Sequence, residues 1–238
     1  MKIIRITRSA IPNLFTSMNM FCGLLSIINA GEKQFVFASY LIFIAAIFDA
    51  LDGMVARLTK SSSALGVQLD SLSDVVSFGV APSYLMYKIY FCQPQFGPMG
   101  IILSSLLMIA GGFRLARFNV QLVGFDKEYF KGIPIPLQAI TIASFVLVYY
   151  TGSGFQTPYE SMIIPLVIIL SLLMVSTIKY DALPKINLKN IKEKPFYFVY
   201  FALSVIIMIA TQGKAIFLLF IFIIAFGILR YAYNFFKK

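Results

Sequence analysis

The feature that most limits what this chain can fold into is a succession of apolar runs divided by short polar breaks. A helix needs about 20 mostly apolar residues to cross the hydrocarbon core of a bilayer. Eight segments approach that length: 13–29, 35–56, 67–89, 99–118, 135–151, 161–178, 196–211 and 215–235. Between them lie Gly31-Glu32-Lys33, Pro94 to Pro98, Gly124 to Gly132, Thr151 to Pro158, Lys179 to Pro195 and Gln212 to Lys214. Only 13% of the 238 residues are charged, against about 25% in a soluble domain. Leu, Ile and Phe are too many for one soluble core, so the solvent is largely lipid. The expected fold is all-α, a polytopic membrane helical bundle of about eight transmembrane helices, with no soluble domain longer than a loop. The opening 30 residues have the basic start and apolar stretch of a secretory signal. Asn13, Thr16, Asn19 and Ser26 interrupt that stretch and more apolar runs follow, which makes it a retained first helix.

The formal charge of +10 does not point to nucleic acid, because the basic residues sit between apolar runs instead of forming a surface stripe. With eight spans and an inner N-terminus, Lys33, Lys88 and Lys214 face outward, and the other 17 of the 20 Lys and Arg face inward. Cytoplasmic loops carry this excess of basic residues. The expected location is the cell inner (cytoplasmic) membrane, multi-pass, with both termini cytoplasmic. Lys185, Lys189, Lys192 and Lys194 read as a solvated loop on anionic headgroups. Cys22 and Cys92 lack metal-ligand spacing and read as free thiols. The absence of histidine removes His triads and His metal sites and leaves acid–base and metal work to carboxylates.

Four of the ten acidic residues lie within one 26-residue stretch: Asp49, Asp52, Asp70 and Asp74. The first two close the second apolar run and the last two open the third. Spacings of i,i+3 and i,i+4 put each pair on one helix face. The short link Thr59 to Leu65 makes the two helices antiparallel neighbours, so the pairs face each other near the cytoplasmic boundary. Carboxylates so close repel one another and resist ionising in a low dielectric. Hard divalent cations suit such oxygen ligands, and two would roughly cancel four charges. Two-metal sites recur in displacement at phosphorus. Other readings are a cation relay in an ion-coupled transporter, buried structural pairs, or an aspartate-rich prenyltransferase. The deep parts of helices four to eight carry almost no polar residues, against transport. Basic partners are too few nearby for structural pairing, and prenyltransferases keep their acidic motifs far apart. Gly53 and Ala56, at i+4 and i+7 from Asp49, clear room for a ligand or for helix packing. Arg57 follows at the membrane edge, as a phosphate partner or a topology anchor. Gly66 permits a close turn into the third helix.

Read together, residues 49–74 run DALDGMVARLTKSSSALGVQLDSLSD, or Asp-x2-Asp-Gly-x2-Ala-Arg-x8-Gly-x3-Asp-x3-Asp. This resembles the signature of the CDP-alcohol phosphotransferase family at every specified position, and the resemblance covers about the first 180 residues. It implies that an alcohol attacks the lipid-bearing phosphate of a CDP-linked lipid and that CMP leaves. It also implies two cations, Mg2+ or Mn2+, on Asp49, Asp52, Asp70 and Asp74, with Asp74 as general base. Asn19, Asp52, Gly53, Ala56, Arg57, Ser63 and Gly66 would line the nucleotide and pyrophosphate pocket, and members are commonly homodimers. The domain plan that follows is a core over 1–180, a basic loop over 181–195 and two additional helices over 196–238.

The motif does not choose the acceptor. LFTSMNMFCGLLS (14–26), SFGVAPS (77–83), FRLARFNV (113–120) and FKGIPIP (130–136) resemble stretches of membrane-spanning bacterial members that use serine. The implied substrates are CDP-diacylglycerol and L-serine. The serine carboxylate needs a cation, and Arg114 and Arg117 lie at the inner end of the fourth span. Asn119 or a main-chain carbonyl could take the ammonium. Either arginine could instead be a topology anchor or a lipid-phosphate ligand, and Asn19 could instead make an interhelical hydrogen bond. Glycerol 3-phosphate or inositol phosphate remain alternative acceptors.

Overall fold

A computed structural model describes residues 10–59, 61, 63–121, 129–181, 210–211 and 213–237. The basic loop over 181–195 and the expected span over 196–211 lie almost wholly outside the described residues, as do Lys2, Arg5, Arg8, Lys60 and Lys127. The other seven expected spans all fall on helical segments.

Helix α1 (Ala10–Gly31) carries Pro12 in its first turn, where a missing N–H costs little. It ends at Gly31, and Lys33 takes a left-handed conformation (φ 63°) that turns the chain back into α2 (Phe35–Thr59). Buried Gly23, Ala30, Ala38 and Ala45 present little bulk. The two helices therefore pack closely along their length, as small residues allow between membrane helices. Ser26 Oγ donates across the pair to the Ala38 carbonyl at 2.8 Å.

Ser63 caps α3 (Ala64–Asp74), its Oγ accepting from the Gly66 N–H at 3.0 Å. The helix then continues through a π-helical turn (Val75–Val80), α4 (Ala81–Met86) and a second π turn (Tyr87–Phe91). Residues 64–91 thus form one rod, whose π turns re-aim the side chains that follow them. This rod is central: α1, α5 (Gly97–Gln121) and α6 (Ile135–Tyr149) all pack against it. Phe78, Leu85, Met86, Ile135, Ile142 and Phe145 are fully buried in the shared core. A single 3-10 turn (Glu160–Met162) leads into α7 (Ile163–Val175), which lies along α5. Helix α8 (Ile216–Phe236) packs on α6.

Helices α1, α2, α5 and α8 are long and apolar enough to cross a membrane, and the helical stretches 135–149 and 160–175 are shorter apolar segments. Their outward faces keep Phe21, Phe37, Ile47, Ile101, Leu172 and Leu229 exposed, an apolar rim suited to lipid and not to water. The chain is a polytopic helical membrane protein, as its sequence leads one to expect.

Two details differ from that expectation. A short antiparallel ribbon joins β1 (Tyr129–Lys131) to β2 (Lys179–Asp181), with Phe130 opposite Tyr180. Three-residue strands leave too little alternation to be read from sequence. In addition, α2 and α3 make few direct contacts, and α1 bridges them. The two acid-bearing helices are therefore splayed neighbours instead of a packed pair.

A Cβ on Gly23 would meet the Ser77 backbone at 2.7 Å, where α1 touches the first π turn. Gly23→Ala should destabilise the protein by about 1–3 kcal/mol through overpacking. Gly112→Ala, at a site with nothing within 4 Å, should be neutral or slightly stabilising. Thermal unfolding of the two variants in detergent measures the contrast.

Candidate active site

Helix α1 carries a polar residue every third position, Asn13, Thr16 and Asn19, and this stripe faces the space between α2 and α3. Asn13 lies beside Gly66, where a Cβ would come within 3.3 Å of its Oδ1. Thr16 Oγ1 donates to Asp52 Oδ2 at 2.7 Å. Asn19 Nδ2 donates to Asp74 Oδ1 at 3.4 Å. Two serines of the rod return bonds to the α1 backbone: Ser73 Oγ to the Thr16 carbonyl at 3.0 Å and Ser77 Oγ to the Asn19 carbonyl at 2.8 Å. The Ser73 and Ser77 bonds flank Asp74, so its position is set from both sides.

Three of the four aspartates converge. Carboxylate oxygens of Asp49, Asp70 and Asp74 all lie within 4.8 Å of one another. Asp52, one turn beyond Asp49, is drawn toward α1 by Thr16 and stays close enough to interact electrostatically with Asp49 and Asp70. Asp52 and Asp74 are buried, and Asp49 and Asp70 are half-buried.

A hard divalent cation fits this donor set on three grounds. The ligands are oxygens, three of them close on one point, and buried Asn19 Oδ1 beside Asp74 has no hydrogen-bond partner among the described residues. Three like charges at such spacing in a weakly polar region need a cation to remain ionised.

The residues expected around the nucleotide lie where α2 ends and α3 begins. Arg57, exposed, folds back over Gly53, its guanidinium about 3.5 Å from where a Cβ would stand. The Ala56 carbonyl accepts from Ser61 N–H at 3.1 Å, closing the turn after α2. Ser63 and Gly66 meet through the α3 cap.

On the acceptor side, Arg114 is buried on α5 with its guanidinium 5.5 Å from the Phe118 ring centroid. Asp74 and, less strongly, Asp49 act on it electrostatically. Asn119 Nδ2 donates to Ser71 Oγ at 2.9 Å, which ties α5 to α3 one residue past Asp70. Arg117, also expected at the acceptor, is engaged by main chain. Its guanidinium donates to the carbonyls of Lys131 and Val175 at 2.8 Å, Ser176 at 3.1 Å and Met174 at 3.3 Å. Its donors meet the end of α7, where helix C-terminal carbonyls lack partners of their own.

Thr16 was not among the residues expected at the site. The i,i+3 polar stripe on an apolar helix was its one signal, and only the fold shows which face of α1 meets Asp52.

The profile of the CDP-alcohol phosphatidyltransferase family matches residues 9–175, a range that contains all four aspartates. This chain belongs to that family. A Helicobacter pylori relative named CDP-diacylglycerol–serine O-phosphatidyltransferase is 37% identical over 93% of this chain and 91% of its own length. One of the same name from Methanocaldococcus jannaschii is 33% identical over 93% of this chain and 94% of its own. An archaetidylserine synthase from Methanothermobacter thermautotrophicus is 40% identical over 72% of this chain and 69% of its own.

Outer partners that orient a metal-binding carboxylate typically contribute 10–100-fold in metal affinity. Thr16→Val should therefore raise the Mn2+ concentration that half-saturates thermal stabilisation of the purified protein by about tenfold or more. Thr141→Val, which removes a bond from a hydroxyl to its own helix on α6, should leave that concentration unchanged.

Proposed function

We propose that this enzyme transfers a phosphatidyl group from CDP-diacylglycerol to L-serine, giving phosphatidylserine and CMP. The observation that carries the reaction is the convergence of Asp49, Asp70 and Asp74 with Asp52 one turn away. The choice of serine is supported by relatives named for it that match this chain nearly end to end, and by buried Arg114 beside Asp74.

The serine hydroxyl attacks the phosphorus that bears diacylglycerol, the bond from that phosphorus to the CMP oxygen breaks, and the hydroxyl proton passes to Asp74. A carboxylate placed at a weak nucleophile contributes typically 10²–10⁴-fold. Asn19 holds one oxygen of Asp74. Asp49, Asp52, Asp70 and Asp74 would hold two divalent cations, Mg2+ or Mn2+, which would supply charge neutralisation at the pyrophosphate. Arg57, with Gly53, Ala56, Ser63 and Gly66, borders the nucleotide, where a guanidinium pairs with phosphate oxygens. Arg114 receives the serine carboxylate, and Asn119 lies within the same acceptor region.

An apolar groove of about 350 Å³ between α2, α6 and α8 includes Ala46, Ala50, Met54, Ile140 and Phe220. It lies on the segment of α2 that bears Asp49 and Asp52 and suits the acyl chains of the donor. The bias of Lys and Arg argues for an inner-membrane enzyme with both termini and the site cytoplasmic, where CDP-linked headgroups and serine are met. The catalytic core is residues 1–180, followed by the basic loop and two added helices, and the family resemblance favours a homodimer.

Purified protein with CDP-diacylglycerol and Mn2+ or Mg2+ should release CMP when L-serine is added, and not with glycerol 3-phosphate or inositol 1-phosphate. Asp74→Asn should lower that rate by about 10²-fold or more. Release with a different acceptor alone would overturn serine while leaving the reaction class. No release from folded protein with any acceptor would return the aspartates to a cation-relay reading.

A further inference from the structure

Two motifs beside the acceptor region, FRLARFNV and FKGIPIP, meet in the structure and lock together at the end of α7. Arg117 of the first binds the carbonyls of Met174, Val175 and Ser176 and, on the other side, that of Lys131. Gly132 of the second donates its N–H to the Ile178 carbonyl at 2.8 Å, and Ile133 donates to the Leu173 carbonyl at 3.2 Å. Gly132 has φ +78°, and a Cβ there would run into the Met174 carbonyl, so both conformation and space require glycine. The β1–β2 pairing continues the same clasp.

Arg117 stands on the last turns of α5, three residues after Arg114 and two before Asn119. Arg114 faces Asp74 electrostatically, and Asn119 is bonded to Ser71. We propose that Arg117 is a positioning residue: by gripping the end of α7 and β1, it sets the roll and depth of α5 and thereby places Arg114 and Asn119 against the aspartate rod. This rests on the acceptor side assigned above.

A planar guanidinium suits this task, because its spread donors reach carbonyls on two segments at once, whereas a lysine offers three donors on one nitrogen. The ribbon and the Gly132 and Ile133 bonds do not involve Arg117, so the fold keeps other ties when it is replaced. What is lost is alignment, and a displacement of about 1 Å in a site can cost about 10²-fold.

The test uses the full chain with Arg117→Ala, Arg117→Lys and Gly132→Ala. Gly132→Ala disturbs the clasp and leaves every charge in place. All three should raise KM for L-serine, Arg117→Ala by about tenfold or more and Arg117→Lys by less. KM for CDP-diacylglycerol should stay within about twofold, since the nucleotide side of the site is built on α1 to α3. A readout independent of turnover is disulfide formation between Ser71→Cys and Asn119→Cys in a Cys92→Ser background, Cys92 being exposed. The cross-link should form readily with Arg117 present and several-fold more slowly in Arg117→Ala and in Gly132→Ala. The proposal is overturned if cross-linking is unchanged in those variants, or if both KM values rise together. A rise in serine KM for Arg117→Ala with none for Gly132→Ala would also overturn it, assigning Arg117 a direct contact with serine. Parent protein that cross-links as expected but shows no serine-dependent turnover would fault the choice of serine and leave the alignment result standing.

Discussion

Mutual repulsion among four carboxylates at the edge of a low-dielectric layer is the constraint around which this structure is arranged. Left to themselves, Asp49, Asp70 and Asp74 would separate or lose charge. They are held within 4.8 Å of one another because they project from two helices that are separately fixed. Helix α1 does the fixing. It packs tightly on α2 through small residues, and it grips the central rod through the Ser73 and Ser77 bonds. Without α1 between them, α2 and α3 have little direct contact to keep their acids together.

The acids of α2 and α3 are thus brought together through α1 and not through packing of the two helices on each other. Polar side chains of α1 meet these acids directly, Thr16 donating to Asp52 and Asn19 to Asp74. The first π turn begins immediately after Asp74, so the residue assigned to proton transfer sits where the rod changes its helical repeat.

The basic residues divide by what surrounds them and not by type. Arg57 is exposed after Gly53, Arg114 is buried and acted on electrostatically by Asp74, and Arg117 meets a helix end. Arg114 and Arg117 are one turn apart on the same helix. They share one face of α5 and differ in what lies within reach, Asp74 acting on Arg114 and the orphan carbonyls at the end of α7 meeting Arg117.

Much of this was legible from the residues themselves. The spans follow from apolar run length, which depends on bilayer thickness and not on tertiary contacts. The acid cluster follows from four aspartates at helical spacing, since i,i+3 and i,i+4 neighbours share a face in any helix. Contacts between distant segments were not legible. Sequence assigned Arg114 and Arg117 the same expected role, and only packing against α7 showed which main-chain carbonyls Arg117 binds. It marked Thr16 as polar, and only the rotation of α1 against α2 put it on Asp52. It read FKGIPIP as a flanking stretch, and the structure made it a clasp. Sequence by itself determined the membrane bundle and the chemistry of the aspartates, because these depend on periodicity and side-chain type. Tertiary structure decided which polar side chains meet which partners, because that depends on how rigid helices are rolled and spaced against one another.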